Sequence, residues 1–557
     1  MNQGGTASFQ PVLEMAHLPN QGRAFLMLLF LAMGSHPLQQ QTGQSGKPQG
    51  RRRQRVMNTP STYGTPAVNL TKQQAKDILI QGAYDIVPLS CELYADTYTP
   101  ITVLRILQSV SNHCYLLESV ENAQKWSRYT FLGYDPTLEI TCTKGVMTLT
   151  KNNVTETLQT LDPSGEIREI LACHKSVRLP GLPPFTGGLV GYFSYDYLAY
   201  AEPSLRLDAP DEEGFKDVDL MLFDKLIAFD NFRQKIILIA NVYAQDFDAS
   251  YERALEELAN MKALLETGTP HPIEPGKITS EFRALKDEDT YCAMVERAKH
   301  HIFEGDIFQV VLSNRLDADF EGSLLDTYRV LRTTNPSPYM FYFSSDDIEL
   351  AGASPETLVK LEGTTLHTFP LAGTRPRGAT ETEDSAIETE LLTDEKELAE
   401  HNMLVDLGRN DLGRISEFGS VEVENYLEIE RFSHVMHIGS TVRGVIRPDK
   451  DALDAVKAVL PAGTLSGAPK IRACQIINDL EQSARGIYGG AVGYLDFTGN
   501  LDLCIAIRLV FKKNDKVFVR SGAGIVADSD PKKEYNECIN KAKAVREALE
   551  IAQGGLQ

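Results

Sequence analysis

Two pairs of carboxylates, each spaced three residues apart, are the residues best placed to do chemistry in this sequence. Glu397 and Glu400 lie in residues 393–411, where Leu398, Met403, Leu404, Val405 and Leu407 recur at roughly helical spacing and no Pro or Gly precedes Gly408. On a helix both carboxylates share one face, roughly 5–6 Å apart at Cβ. Such a pair repels itself. It either lies on a solvated face, with Lys396 nearby, or holds a hard divalent cation through oxygen. A second pair favours the cation. Residues 530–541 open with Asp530 and Pro531, an N-cap and an N1 residue. They then place Glu534, Glu537 and Lys541 on one stripe, with Tyr535, Ile539, Ala542 and Val545 on the buried one. Two helices of this kind can bracket one Mg²⁺, so Glu397, Glu400, Glu534 and Glu537 are the expected metal ligands.

Other residues suit an anionic partner. Arg508 follows the strand-like run 503–507, although taken alone it reads equally well as half of a surface salt bridge. Gly522 and Gly524, flanking Ala523, allow backbone N–H groups to approach an anion closely. Lys541 lies one helical turn beyond Glu537. Residues 463–470 (GTLSGAPK) are not a nucleotide-binding P-loop, because Ala468-Pro469 stands where Gly-Lys is required. Any one of the eleven histidines is more often structural than catalytic, and His401, His434 and His437 are rivals.

These residues need elements to carry them. Residues 70–82, 248–266 and 286–304 read as helices. Residues 87–90, 307–312, 339–343 and 366–370 read as strands, 137–150 as a hairpin turning at Lys144-Gly145, and 220–239 as two strands. Residues 267–276, dense in Pro and Gly, form the best linker. The organisation expected is an extension at 1–56, an N-terminal regulatory sublobe at 57–266 and a C-terminal catalytic domain at 278–552. No internal repeat occurs.

The 557 residues allow three or four domains by length alone, and 42% apolar content is ample for a core. A formal charge of −21 argues against a nucleic-acid partner, whose footprint is basic. It leaves room for an anionic substrate beside a metal and a few local cations. The eight cysteines are scattered without a CxxC pair, as in reduced, mostly buried thiols of a cytoplasmic protein. Ala24 to Met33 is an apolar run too short to span a bilayer, so no membrane partner is expected. It lies behind a stretch containing Glu14, lacks a clear cleavage site and precedes the basic run 51–55. The extension reads as an upstream start codon chosen in error, a transit or export segment, or a disordered tail.

Glu397-Leu-Ala-Glu400-His401, the stretch 463–470 and Ser521-Gly-Ala-Gly-Ile525 together resemble the chorismate-utilising enzymes. The resemblance runs from about residue 70 to 552, is densest after Ile278, and is strongest to the branch that makes anthranilate. It implies a mixed α/β (α+β) fold: a large interwoven body of β-sheets flanked by helices, with two sublobes. It implies that chorismate plus ammonia gives anthranilate and pyruvate, with Mg²⁺ as cofactor, on the path to tryptophan. The four glutamates would be its metal site. Glu356 would be the general acid for the C4 hydroxyl, and His437 would serve the pyruvate elimination. Gly373, Thr374, Thr464, Tyr488, Arg508, Gly522, Ala523, Gly524 and Lys541 would bind substrate.

Two positions separate close relatives. Enzymes that add water place Lys where Gln309 stands, and aminodeoxychorismate synthases place a Lys where Ala372 stands, so both positions point to anthranilate formation. No glutaminase motif is present, which implies a separate glutamine amidotransferase subunit, component II. The segments containing Glu118-Ser119 and Pro338-Tyr339-Met340 resemble a tryptophan feedback site. Glu118 is expected to pair with the ligand's ammonium, Ser119 to hydrogen-bond, and Tyr339 and Met340 to shape an apolar pocket. The alternatives are an aminodeoxychorismate- or isochorismate-synthase-like enzyme, or a non-catalytic relative that senses tryptophan or chorismate.

Overall fold

The structure, a computed structural model, describes residues 67–119, 128–431 and 435–556. The extension at 1–56, the first residues of the N-terminal sublobe and His434 lie outside the described residues. From Thr65 onward the chain is one compact unit, built on two large antiparallel sheets of 13 and 12 strands among the described residues.

Both halves of the chain contribute to both sheets. In the larger sheet, Cys114–Glu118 pairs with Tyr339–Ser344, with Met340 opposite Glu118 and Phe341 opposite Leu117. In the smaller sheet, Gly188–Phe193 pairs with Ala491–Asp496. The N-terminal strands fill one end of each sheet and the C-terminal strands the other, which is the interwoven, two-sublobed body that the sequence implied.

Strand alternation sorts the side chains into layers. Tyr339, Phe341 and Phe343 meet Tyr192, Val492 and Tyr494 between the sheets. Met340 and Tyr342 point the other way, into a core shared with the helices Phe247–Thr267, Leu325–Thr334 and Pro531–Ala552. Most expected elements are present within a few residues. The helix Lys72–Gly82 starts on a capping box between Thr71 and Gln74, and the hairpin turns through Lys144 and Gly145, both at positive φ. The strand Gln309–Glu321 runs well past residue 312 because it pairs with Lys516–Ile525 as far as Asp319↔Lys516.

One expectation is corrected. Residues 220–239 fall within three strands, not two: Val218–Phe223, Lys225–Asp230 and Lys235–Tyr243. The first belongs to the smaller sheet and the other two to the larger, so the chain changes sheet at Asp224. No Gly or Pro marks that crossing, and only Asp224-Lys225 interrupts the apolar residues on either side.

Two helices carry the acidic pairs. Glu395–Gly413 begins on Asp394, whose side chain accepts from Lys396 N and Glu397 N, and packs on the strands Leu371–Pro376 and Val435–Val445. Pro531–Ala552 begins on Asp530, which accepts from Lys533 N, and packs on the strand Lys516–Ile525. Among the described residues no helix is long and apolar enough to cross a membrane.

Candidate active site

The two acidic pairs share one electrostatic field. The half-buried Glu400 carboxyl is pushed up by burial and then by Glu397 on its own helix and Glu537 on the other. Glu534 is pushed up by burial, with Glu537 adding to it. Glu397 Oε1 accepts from Arg375 Nη1 at 3.0 Å, and Glu537 Oε1 lies 2.7 Å from Lys541 Nζ. Among the described residues no three acidic, His or Cys side chains converge as a ready-made ligand set. The donors still fit Mg²⁺ in kind: all four are carboxylates, and a cation relieves the repulsion that raises Glu400.

Glu356 follows the strand Glu349–Ser354, and its Oε1 accepts from Thr464 Oγ1 at 3.1 Å. Thr464 sits in the short turn Gly463–Leu465, which brings residues 108 apart in sequence into contact. Burial pushes the Glu356 carboxyl up to about 8, against a weak lowering by Thr464 and Lys541. At neutral pH it keeps its proton and is a competent acid.

His437, on Val435–Val445, stands opposite Thr374 on Leu371–Pro376, with Nδ1 and Thr374 Oγ1 3.1 Å apart. Burial lowers the imidazole to about 4, and Arg508 pushes the same way, so the ring is neutral and can accept a proton. Gly373 lies at φ 60°, and a Cβ there would come 3.0 Å from Leu391 and 3.4 Å from Glu397 Oε2. A side chain would therefore intrude between this strand and the first acidic pair.

The residues expected to face an anion meet at the end of Lys516–Ile525. Val311 N donates to Ser466 O, away from Lys516–Ile525, so its register partner Gly524 also turns its backbone groups outward. Gly522, two residues back, faces the same way, and its carbonyl accepts from Lys541 Nζ at 3.1 Å. Ala523 points its side chain into the core, and its place between the two glycines turns its backbone groups toward Leu312. Tyr488 Oη would lie 3.0 Å from a Gly522 Cβ, and Gln309 Nε2 2.7 Å from a Gly524 Cβ. Among the described residues the buried Gln309 Oε1 has no partner. Arg508, at φ 52°, donates from Nη1 to Lys541 O at 3.1 Å and has no carboxylate partner among the described residues. A half-buried guanidinium without a counter-ion is poised for an anion.

Sequence reasoning missed the charges beneath this surface. Glu481 takes Arg485 and Arg520 (2.5 and 2.7 Å) and accepts from Ser313 N and Oγ at 2.7 and 2.9 Å, all buried. Arg485 also lies over the Tyr195 ring and near Tyr488, bracing the floor of the site. Only the Glu481–Arg485 spacing of four residues signalled any of this.

A cavity of about 400 Å³ lies between the two sheets, bordered by Ser119, Pro338 and Tyr339 from the expected motifs and by Tyr494, Lys360 and Asp502, which the sequence did not single out. Glu118 and Met340 border the same cavity, although their side chains have partners elsewhere. Their shared register puts both side chains on the helix side of the sheet. The Glu118 carboxylate accepts from Arg332 Nε at 2.6 Å, Arg332 Nη2 at 3.1 Å and Tyr328 Oη at 2.6 Å, so it is already neutralised. Ser119 Oγ, by contrast, is buried without a partner among the described residues.

The fold is that of a chorismate-binding enzyme. The "chorismate binding enzyme" family matches residues 112–547. The anthranilate synthase component 1 of Acetivibrio thermocellus is 43% identical over 495 residues, covering 87% of this chain and 99% of its own length. That of Aquifex aeolicus is 44% identical over 474 residues, 84% and 96% respectively. The crystal structure of anthranilate synthase component I from Streptococcus pneumoniae superposes with a TM-score of 0.68 at 40% identity, covering 77% of this chain and 93% of that one. The menaquinone-specific isochorismate synthase of Escherichia coli, at 19% identity and a TM-score of 0.64 over 86% of this chain and 99% of that one, shares the fold. The chain belongs to the chorismate-binding family, in its anthranilate synthase component I branch, and is a lyase that acts on chorismate.

Proposed function

We propose that this chain makes anthranilate and pyruvate from chorismate and ammonia, with Mg²⁺, and that its ammonia comes from glutamine through a separate amidotransferase subunit. The observation that carries the reading is Glu356, an acid that keeps its proton at neutral pH within the cleft. As the N–C2 bond forms, the ring double bonds shift and the C4–O bond breaks. Glu356 gives its proton to the departing hydroxyl, which leaves as water. The added nitrogen loses a proton to solvent, which balances the one donated. In the second stage the neutral His437 is placed to accept the C2 proton. The C3–O bond then breaks, the ring becomes aromatic, and the enolate that leaves takes up a proton at its methylene carbon to become pyruvate, which balances the proton removed from C2. Mg²⁺, held by Glu397, Glu400, Glu534 and Glu537, would neutralise the ring carboxylate. Arg508, Lys541 and the outward N–H groups of Gly522 and Gly524 would take the other carboxylate, with Gly373, Thr374, Thr464 and Tyr488 lining the ring. Gln309 and Ala372 supply no lysine at either position where relatives use one, which favours ammonia as the nucleophile.

The test is supply. Purified alone at mildly alkaline pH, the chain is expected to form fluorescent anthranilate from chorismate and ammonium but not from glutamine. Glutamine-dependent turnover by the chain alone would overturn the two-subunit reading. All eight cysteines are free and six are buried, which suits a reducing, cytoplasmic setting.

We further propose that tryptophan inhibits by binding the cavity between the sheets. The cavity offers Tyr339, Tyr494 and Phe131 to an indole, Asp502 or Glu362 to an ammonium, and Lys360 or Arg178 to a carboxylate. Its walls come from both halves of the chain, which supports a regulatory role for the N-terminal half. Inhibition requires tryptophan to favour an inactive arrangement, and a tenfold bias needs about 1.4 kcal/mol. A Phe side chain at Ser119 would take up cavity space and remove the unpartnered hydroxyl. Ser119→Phe is expected to keep its activity and lose tryptophan inhibition by about tenfold or more. Unchanged sensitivity would place the inhibitor elsewhere.

A further inference from the structure

Arg375 stands at the end of the strand Leu371–Pro376, and its guanidinium touches three carboxylates. Nη1 donates to Glu397 Oε1 at 3.0 Å, Nη2 to Asp394 Oδ2 at 2.9 Å, and Nη2 to Glu390 Oε1 at 3.2 Å. Glu397 belongs to the proposed metal set, yet its oxygen is already engaged. Glu390 and Asp394 give the guanidinium somewhere to go. If Glu397 turns to a metal ion, Arg375 keeps two ion pairs and is not left unpaired. Lys541 repeats the pattern on the facing helix: its Nζ is 2.7 Å from Glu537 Oε1, with the Gly522 carbonyl as a second partner at 3.1 Å.

Resting on the magnesium reading above, we propose that Arg375 is a resident counter-cation. It occupies Glu397 in the metal-free chain and yields it to Mg²⁺, and so sets the affinity for the ion. The arrangement has a physical reason. Acidic pairs on two helices, coupled through Glu400 and Glu537, repel one another without a cation. A guanidinium on one pair and an ammonium on the other hold the site together until the ion arrives. The cost is competition, since each oxygen lone pair given to Arg375 is one withheld from the metal. Arg375 acts through Glu397, so it is a positioning residue.

The sign of the effect separates this role from a purely structural one. Loss of a structural tether loosens the site and weakens the metal, whereas loss of a competitor tightens it. The measurement is Mn²⁺ binding to the metal-stripped full-length chain without chorismate, counting free Mn²⁺ by electron paramagnetic resonance and displacing it with Mg²⁺. Arg375→Gln is expected to bind Mn²⁺ about fivefold more tightly than wild type. Arg377→Gln removes the same charge two residues on, where the guanidinium pairs with Asp384 at 2.7 Å, and is expected to stay within about twofold of wild type. Glu390→Gln, a change on an exposed helix face that leaves the fold intact, removes one alternative partner of Arg375 and is expected to weaken binding about twofold. Unchanged or weaker binding by Arg375→Gln overturns the proposal, as does equal tightening by Arg377→Gln, which would reveal a general charge effect. If wild type binds no Mn²⁺, the magnesium reading falls with it.

Discussion

Glu356→Gln is expected to lower kcat by about 10²- to 10⁴-fold, the usual worth of a positioned general acid, while changing the KM for chorismate far less. The amide keeps the shape and can still accept from Thr464 Oγ1, but it has no proton to give the C4 hydroxyl. The same residue sets a pH limit. Burial holds its carboxyl at about 8, so the rate divided by free NH₃ should be flat below that value and fall as pH rises through it. Thermal stability should follow the same titration. The folded value lies above the ordinary 4.5, so the stability associated with the bound proton is full below 4.5 and lost as pH rises through about 8. Glu356→Gln escapes that loss. Its melting temperature should gain on wild type between those pH values and hold a constant lead above them. A pH-independent difference between the two proteins would show that Glu356 ionises normally in the folded chain.

What the sequence revealed depended on how local the cause was. The helices with the acidic pairs were legible because helical spacing, Asp394, and Asp530 with Pro531 act within a few residues of one another. The interwoven body was legible only through resemblance, since no local pattern announces that Cys114–Glu118 will pair with Tyr339–Ser344, more than 200 residues away. That pairing also decides which face Glu118 presents. Its carboxylate accepts from Arg332 and Tyr328, partners that lie more than 200 residues away and that no local pattern announces. Glu356 shows the same limit in the site itself. A motif can nominate the residue, but its proton is held by burial and its partner Thr464 comes from a distant turn, and neither is written near position 356. Arg375 was overlooked because its three partners lie on two other helices, where nothing in the stretch 370–376 points.

The second large effect expected is loss of activity on removal of the metal. The two acidic pairs, coupled through Glu400 and Glu537, would repel an anionic substrate unless a cation intervenes, and Arg375 is already committed to Glu397. Removing one carboxylate should weaken the ion without abolishing its site, because affinity for hard cations follows the number of charged oxygens. The direct measurement is anthranilate fluorescence from chorismate and ammonium as Mg²⁺ is returned to the metal-stripped chain, for wild type and for Glu400→Gln. The proposed magnesium site predicts no turnover without Mg²⁺, saturable recovery in wild type, and a curve for Glu400→Gln displaced to about tenfold higher Mg²⁺ with part of the rate restored. Full turnover without metal, or the same Mg²⁺ dependence in both proteins, would contradict it.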